Sequence, residues 1–148
     1  PWTLIPLATD LAAHARFAET PARITRGAEL AANTRQLLGH LGTMADSAVD
    51  YPVTGMAAHA LAQWLLRREP DAEPEPAVRL LALADRFGYN RWFPAMAWEP
   101  VAALADEAAP GLLAAVLEEY GERKGRELRP EVERVLAALD AEDLTSSG

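Results

Sequence analysis

Prolines and glycines divide this chain into about seven segments, and each segment carries apolar residues three or four positions apart. That spacing places the apolar side chains on one face of an α-helix. Alanine and leucine, at 31 and 21 residues, far outnumber the 7 valines and 2 isoleucines that would favour strands. The sequence therefore predicts an all-α fold, and its 148 residues suit one domain, 1–148, with a core of its own.

The expected helices begin at recognisable start signals. Thr20-Pro21 combines a hydroxyl N-cap with a proline in the first turn, and Asp50-Tyr51-Pro52 is a similar opening for the third helix. Pro100 is expected either to start a helix or to kink one, because an internal proline removes a backbone hydrogen bond. The last residues, 141–148, are expected to form a loose tail. On the second helix, one apolar face is expected to contain Leu30, Thr34, Leu37, Leu41 and Met44.

Short connections between these helices predict antiparallel neighbours. Pro74 and Pro110, which open the fourth and sixth helices, lie 36 residues apart, close to the tetratricopeptide period of roughly 34 residues. The preceding interval, from Pro21 to Pro74, is 53 residues, so the period is not kept. We predict a tetratricopeptide-like helical array of about seven helices, with a closed helical bundle as the alternative.

Charge and composition exclude several function classes. The chain has 14 basic and 22 acidic residues, a net charge of −8, so nucleic acids and anionic membranes would repel it. It has no cysteine for disulfides or thiolate chemistry. No apolar run approaches the roughly 18 residues of a membrane span. We therefore expect no direct nucleic-acid contact and no membrane contact.

Residues that could carry catalysis or bind metal are scattered. The three histidines, His14, His40 and His59, lack the spacing of a metal site, although Asp10 lies one helical turn before His14. Adjacent glutamates such as Glu118 and Glu119, or the pair Glu131 and Glu133, are expected to be solvated. Gly39 and Gly42 are expected to mark a close helix crossing or a break. We predict a non-catalytic domain with no cofactor and no metal.

Two stretches carry a family resemblance: Tyr51 to Arg68, YPVTGMAAHALAQWLLRR, and Pro76 to Tyr89, PAVRLLALADRFGY. They resemble the C-terminal helical repeats of large bacterial transcriptional regulators of the AfsR/SARP type and the ATPase-containing LuxR type. The resemblance implies a cytoplasmic protein of a high-GC bacterium and a role in sensing, partner binding or self-association. Because the chain opens at Pro1 without an initiator methionine, we expect it to be a fragment of a longer protein.

The segment from Asp85 to Trp98, DRFGYNRWFPAMAW, holds five of the ten aromatic residues. Aromatic residues and arginine are enriched where partners bind. The segment therefore predicts a binding site for a protein partner or a second copy of the chain. Two alternatives are a small-molecule effector pocket between helices and rings that only fill the gap between helix pairs. The candidate site residues are Arg86, Tyr89, Arg91, Trp92, Phe93 and Trp98.

Overall fold

The computed structural model describes residues 4–43 and 51–146, with side chains for 5–40 and 52–141. These residues form helices α1 (Leu4–Phe17), α2 (Pro21–Thr43), α3 (Tyr51–Arg68), α4 (Pro74–Phe87), α5 (Trp98–Ala108), α6 (Leu112–Tyr120) and α7 (Arg129–Ser146). Short 3-10 turns occupy Pro94–Met96 and Gly125–Leu128. No strand occurs in the ranges described, which confirms the predicted all-α array of about seven helices.

Helix starts follow the local sequence signals, with one difference. The Thr20 hydroxyl accepts a hydrogen bond from the backbone N–H of Arg23 at 3.4 Å, and α2 begins at Pro21 as predicted. The third helix is present from Tyr51, while Asp50 lies outside the described residues. Pro100 neither starts nor kinks a helix. It sits in the first turn of α5, where its missing N–H costs no helical hydrogen bond.

The central element is α3, in which every residue from Val53 to Trp64 is buried. Helices α1 and α4 pack on it most extensively, and α2 and α5 also contact it. A helix that is apolar on all faces is typical of a buried position. The indole of Trp64 belongs to this core, as its apolar neighbours in the sequence suggest.

Two glycines allow helices to approach closely. A β-carbon at Gly55 of α3 would lie 2.2 Å from the carbonyl oxygen of Gly88, just beyond the end of α4. A β-carbon at Gly27 of α2 would lie 2.2 Å from the ring of Trp64. At Gly39 the nearest atom outside its own helix would be 3.8 Å away, and α2 continues past it. The expectation of a close crossing or a break at Gly39 is therefore wrong.

The last three helices, α5, α6 and α7, all contact α4. Contacts among α1 to α6 join consecutive helices and consecutive helix pairs, as in a stacked array. Helix α7 also reaches α2, where Arg35 pairs with Asp140 at 2.5 Å. In a stack of repeats each unit contacts only its neighbours. The contact between α2 and α7 is an additional one, because it joins helices far apart in the chain.

Three expectations need correction. Leu38 of α2 is buried, whereas the predicted core residue Leu37 faces outward. Glu131, expected to be solvated, is buried and pairs with Arg134, because the 3-10 turn at 125–128, with Leu128 buried, places the start of α7 against the core. Helix α7 continues to Ser146 and so includes most of the expected loose tail. Met44 and the last two residues lie outside the described residues, as does the side chain of Leu41.

Candidate functional site

The predicted aromatic segment forms an ordered loop between α4 and α5. It begins at Gly88, whose φ of +71° is readily adopted only by glycine. The Asn90 side-chain oxygen accepts a hydrogen bond from the Trp92 N–H at 2.9 Å, which closes a tight turn. The turn leaves Trp92 93% exposed and Phe93 44% exposed. These two predicted site residues therefore face solvent.

Arg91 fastens the inner side of this loop. Its guanidinium lies 5.0 Å from the ring centroid of Tyr89 and 4.8 Å from that of Trp98. It also pairs with Asp85 of α4 at 2.6 Å. Cation–π contacts and an ion pair in one side chain connect the end of α4 to the start of α5. The structure thus brings three of the predicted site residues together.

A buried histidine lies beneath this cluster. The ring of His59 is fully buried, and its centroid is 4.7 Å from that of Tyr89. Burial lowers the pKa of His59 to about 4; the nearby positive charge of Arg91 acts in the same direction, and the backbone of Ala97 opposes it. Within the described part, neither His59 ring nitrogen nor the Tyr89 hydroxyl has a hydrogen-bond partner. The imidazole is therefore neutral near pH 7.

His59 is a residue whose environment the sequence analysis missed. The available signal was its position within a helix that is apolar on every side, which implies burial of each residue it contains. The spacing of Asp10 one helical turn before His14 does bring the two side chains together, with His14 Nδ1 3.2 Å from Asp10 Oδ1.

Arg86 has a different role from the other predicted site residues. Its Nη2 donates a hydrogen bond to the carbonyl oxygen of Leu117 at 2.9 Å. This contact joins α4 to α6. The structure does not link Arg86 to the Arg91 cluster, and we assign it to packing between helices.

The outer side of the loop meets the end of α1. Arg16 donates a hydrogen bond to the carbonyl oxygen of Pro94, and its guanidinium lies 5.2 Å from the ring centroid of Phe17. Phe17 is 53% exposed. We call Phe17, Trp92 and Phe93, together with Arg16, the aromatic edge. Phe17 was not among the predicted site residues, because it is separated from the loop by more than 70 residues of sequence.

The aromatic edge is locally basic. Burial, together with the positive charges of Arg16 and Arg68, lowers the pKa of Arg67. Arg68 donates hydrogen bonds to the Ala15 and Ala18 carbonyl oxygens at 3.0 and 2.7 Å, at the end of α1. Among the described residues, neither Arg67 nor Arg16 has an acidic partner within salt-bridge distance. Positive charge therefore accumulates here in a chain whose net charge is −8.

A separate groove of about 560 Å³ opens between α2 and the turn that joins α3 to α4. None of the six predicted site residues lines it. A small-molecule site at this groove would therefore differ in place from the aromatic pocket proposed from the sequence.

Within the residues that the structure describes, no three histidine, aspartate or glutamate side chains converge in a way that could hold a metal ion. No single helix there is long and apolar enough to cross a membrane. Taken together, the stretches 94–108 and 112–120 are long and apolar enough by length and composition alone, but the second is bent by 111° relative to the first.

Comparison with known proteins assigns no family. No protein-family model, no curated protein and no solved structure matches the chain.

Proposed function

We propose that this chain is a non-catalytic protein-interaction domain, and that its aromatic edge binds an acidic segment of a partner protein that also carries apolar side chains. The observation that carries the proposal is that Trp92, on an ordered loop, is 93% exposed. An indole held in water contributes almost nothing to the stability of the isolated fold. Tryptophan and arginine are the residues that most often dominate binding energy at protein interfaces.

The loop is held in place before any partner arrives. The Asn90 turn fixes Trp92, and Arg91 attaches the loop to both flanking helices. From below, the buried Gln63 amide donates to the carbonyl oxygens of Ala12 and Ala95 at 3.1 Å each. A surface that is already ordered loses little conformational entropy on binding, which favours affinity.

The positive charge beside the aromatic edge favours a partner segment that carries carboxylates. Arg16 and Arg67 lack acidic partners among the described residues, so a carboxylate on the partner would find them available. Exposed aromatic rings beside these arginines favour apolar side chains next to that carboxylate. Such charge complementarity mainly speeds association and makes it sensitive to salt.

The wider role proposed for the domain is that of an interaction or sensing module in a larger cytoplasmic regulator of transcription. The support is the array of helix pairs, together with the resemblance of 51–68 and 76–89 to the helical repeats of such regulators. A tetratricopeptide-like arrangement belongs to the same proposal. Self-association through the aromatic edge is the competing outcome of the experiment below.

The experiment selects binders from a random peptide library displayed against the wild-type chain and counter-selects against Trp92→Ala. We expect enriched peptides to combine acidic and apolar residues, to lose affinity at least about tenfold in Trp92→Ala, and to weaken with salt. Ile24→Ala is the matched control, because Ile24 is an exposed apolar residue of α2 that lies outside the edge.

Stability and mass measurements complete the test. Because Trp92 is almost fully exposed, Trp92→Ala is expected to leave the melting temperature unchanged. The proposal is wrong if selected peptides bind Trp92→Ala as well as wild type, or if that variant unfolds. A dimer that Trp92→Ala dissociates would instead identify a second copy as the occupant, and would also overturn the proposed acidic partner.

A further inference from the structure

The groove between α2 and the turn 69–74 has one wall made of small side chains. Ala28, Ala31, Ala32 and Arg35 line it from α2. They are spaced by three, four and seven residues, so they share one helical face. Because three of the four are alanines, this face leaves open space where larger side chains would close the gap.

The floor and the opposite wall are apolar and fixed by proline. The floor is formed by Leu61, Leu65 and Leu66 of α3, and the turn contributes Pro70 and Pro74. Proline fixes the backbone φ angle, and the turn also contains hydrogen bonds from the Glu69 N–H to the Leu65 oxygen at 3.0 Å and from the Ala72 N–H to the Glu69 oxygen at 3.1 Å. The cavity is therefore preformed. Ala77, Ala108 and Leu139 complete its lining.

The rim of the groove is acidic. Glu69, Asp71 and Glu73 all line it, and Glu69 accepts a hydrogen bond from the indole N–H of Trp64 at 3.0 Å. Within the described ranges, neither Asp71 nor Glu73 has a basic side chain within salt-bridge distance. The one basic residue in the lining, Arg35, has its charge balanced by Asp140 at 2.5 Å. The rim consequently carries an uncompensated negative charge over an apolar floor.

We propose that this groove binds a small organic cation, with its ammonium group near Asp71 and Glu73 and its apolar body over the leucines of α3. A volume of about 560 Å³ is within the range of small-molecule sites, which combine an apolar lining with a few polar groups. Charge complementarity at the rim selects a cation over a neutral or anionic molecule of the same shape. This site is independent of the aromatic edge and of the function proposed for it.

The test uses three probes that share a phenyl body and differ in charge: 2-phenylethylammonium, 2-phenylethanol and phenylacetate. Binding is followed in the full chain by NMR of carbon-13-labelled alanine methyl groups. We expect the cation to shift the methyl signals of Ala28, Ala31, Ala32 and Ala77, with an affinity about fivefold above that of the alcohol. Phenylacetate is expected to bind most weakly.

Two sets of variants locate the site. The double variant Asp71→Asn with Glu73→Gln is expected to remove the preference for the cation and to retain binding of the alcohol; Glu107→Gln, an exposed carboxylate outside the groove, is its control. Ala32→Phe is expected to fill the groove and abolish binding of all three probes. Ala22→Phe is the matched control, because Ala22 is an exposed alanine of the same helix that does not line the groove.

Several results would overturn the proposal. These are equal affinity for the three probes, no methyl shift at millimolar concentration, or unchanged cation binding in the double variant. If Ala32→Phe fails to fold, the double variant still decides, because both its residues are exposed. A wild-type dimer that becomes monomeric in Ala32→Phe would place a second copy in the groove, which also contradicts a small cation as its occupant.

Discussion

Replacing Gly55 by alanine tests the close approach of α3 to the end of α4. The added β-carbon would lie 2.2 Å from the Gly88 oxygen, 2.9 Å from the Gly88 carbonyl carbon and 3.1 Å from the Ala84 oxygen. All three are backbone atoms, so no side chain can rotate away to relieve the overlap. The two helices must therefore move apart. Among the described residues, α3 and α4 form the most extensive interface between any two helices.

Two effects determine how much Gly55→Ala changes the free energy of unfolding. Overpacking a core costs about 1–3 kcal/mol, and the upper end applies here because backbone must move. Alanine gains up to about 1 kcal/mol over glycine inside a helix. The net expectation is a loss of about 2 kcal/mol in the free energy of unfolding, which lowers the melting temperature by about 4–8 °C in a chain of this size.

Gly39→Ala makes the same chemical change, but it is expected to stabilise the fold. Its β-carbon would meet Leu136 Cδ1 at 3.8 Å, an ordinary contact, so the helix gain remains and the melting temperature rises. Both variants are measured by thermal and urea unfolding followed by circular dichroism. If Gly55→Ala proves neutral or stabilising like Gly39→Ala, the argument from the α3–α4 crossing is refuted.

Two further predictions concern buried polar groups. The pKa of His59 is about 4 in the folded chain and about 6.5 in the unfolded chain. Between these pH values the unfolded state binds more protons than the folded state. The free energy of unfolding therefore falls as the pH drops from about 6.5 to about 4. Urea unfolding across that range should show about 3 kcal/mol more loss in wild type than in His59→Leu, and parallel pH profiles would contradict the burial of a neutral imidazole. Gln63→Met removes both hydrogen bonds from the Gln63 amide and is expected to cost about 1–3 kcal/mol. It should also speed hydrogen exchange of the Met96 N–H, which bonds the Phe93 oxygen at 2.8 Å; unchanged exchange would show that Gln63 does not hold the loop.

Local signals predicted the helices well because they act within a few residues. Thr20 and Pro21 set the start of α2 without help from the rest of the fold. The face of a helix is less certain, because neighbouring leucines compete for the core. Leu37 and Leu38 are adjacent, and only the position of α2 against its neighbours decides that Leu38 is buried.

The sites were harder to predict because they combine distant segments. Sequence composition pointed to Trp92 and Phe93, yet Phe17 joins them only through the bond from Arg16 to Pro94. The groove gave no signal in the sequence, because a cavity is defined by what α2 and the turn 69–74 leave unfilled.

The enclosure of α3 has a consequence for the order of events on the ribosome. Residues 53–64 leave the exit tunnel before α4 and α5, which later cover them. During that interval the nascent chain exposes this mostly apolar twelve-residue stretch, and only α1 and α2 are available to cover it. Such transient exposure invites aggregation or chaperone capture. A pause in translation that occurs after residues 53–64 have left the tunnel, while α4 and α5 are still inside it, would therefore lower the soluble yield more than a pause after all seven helices have emerged.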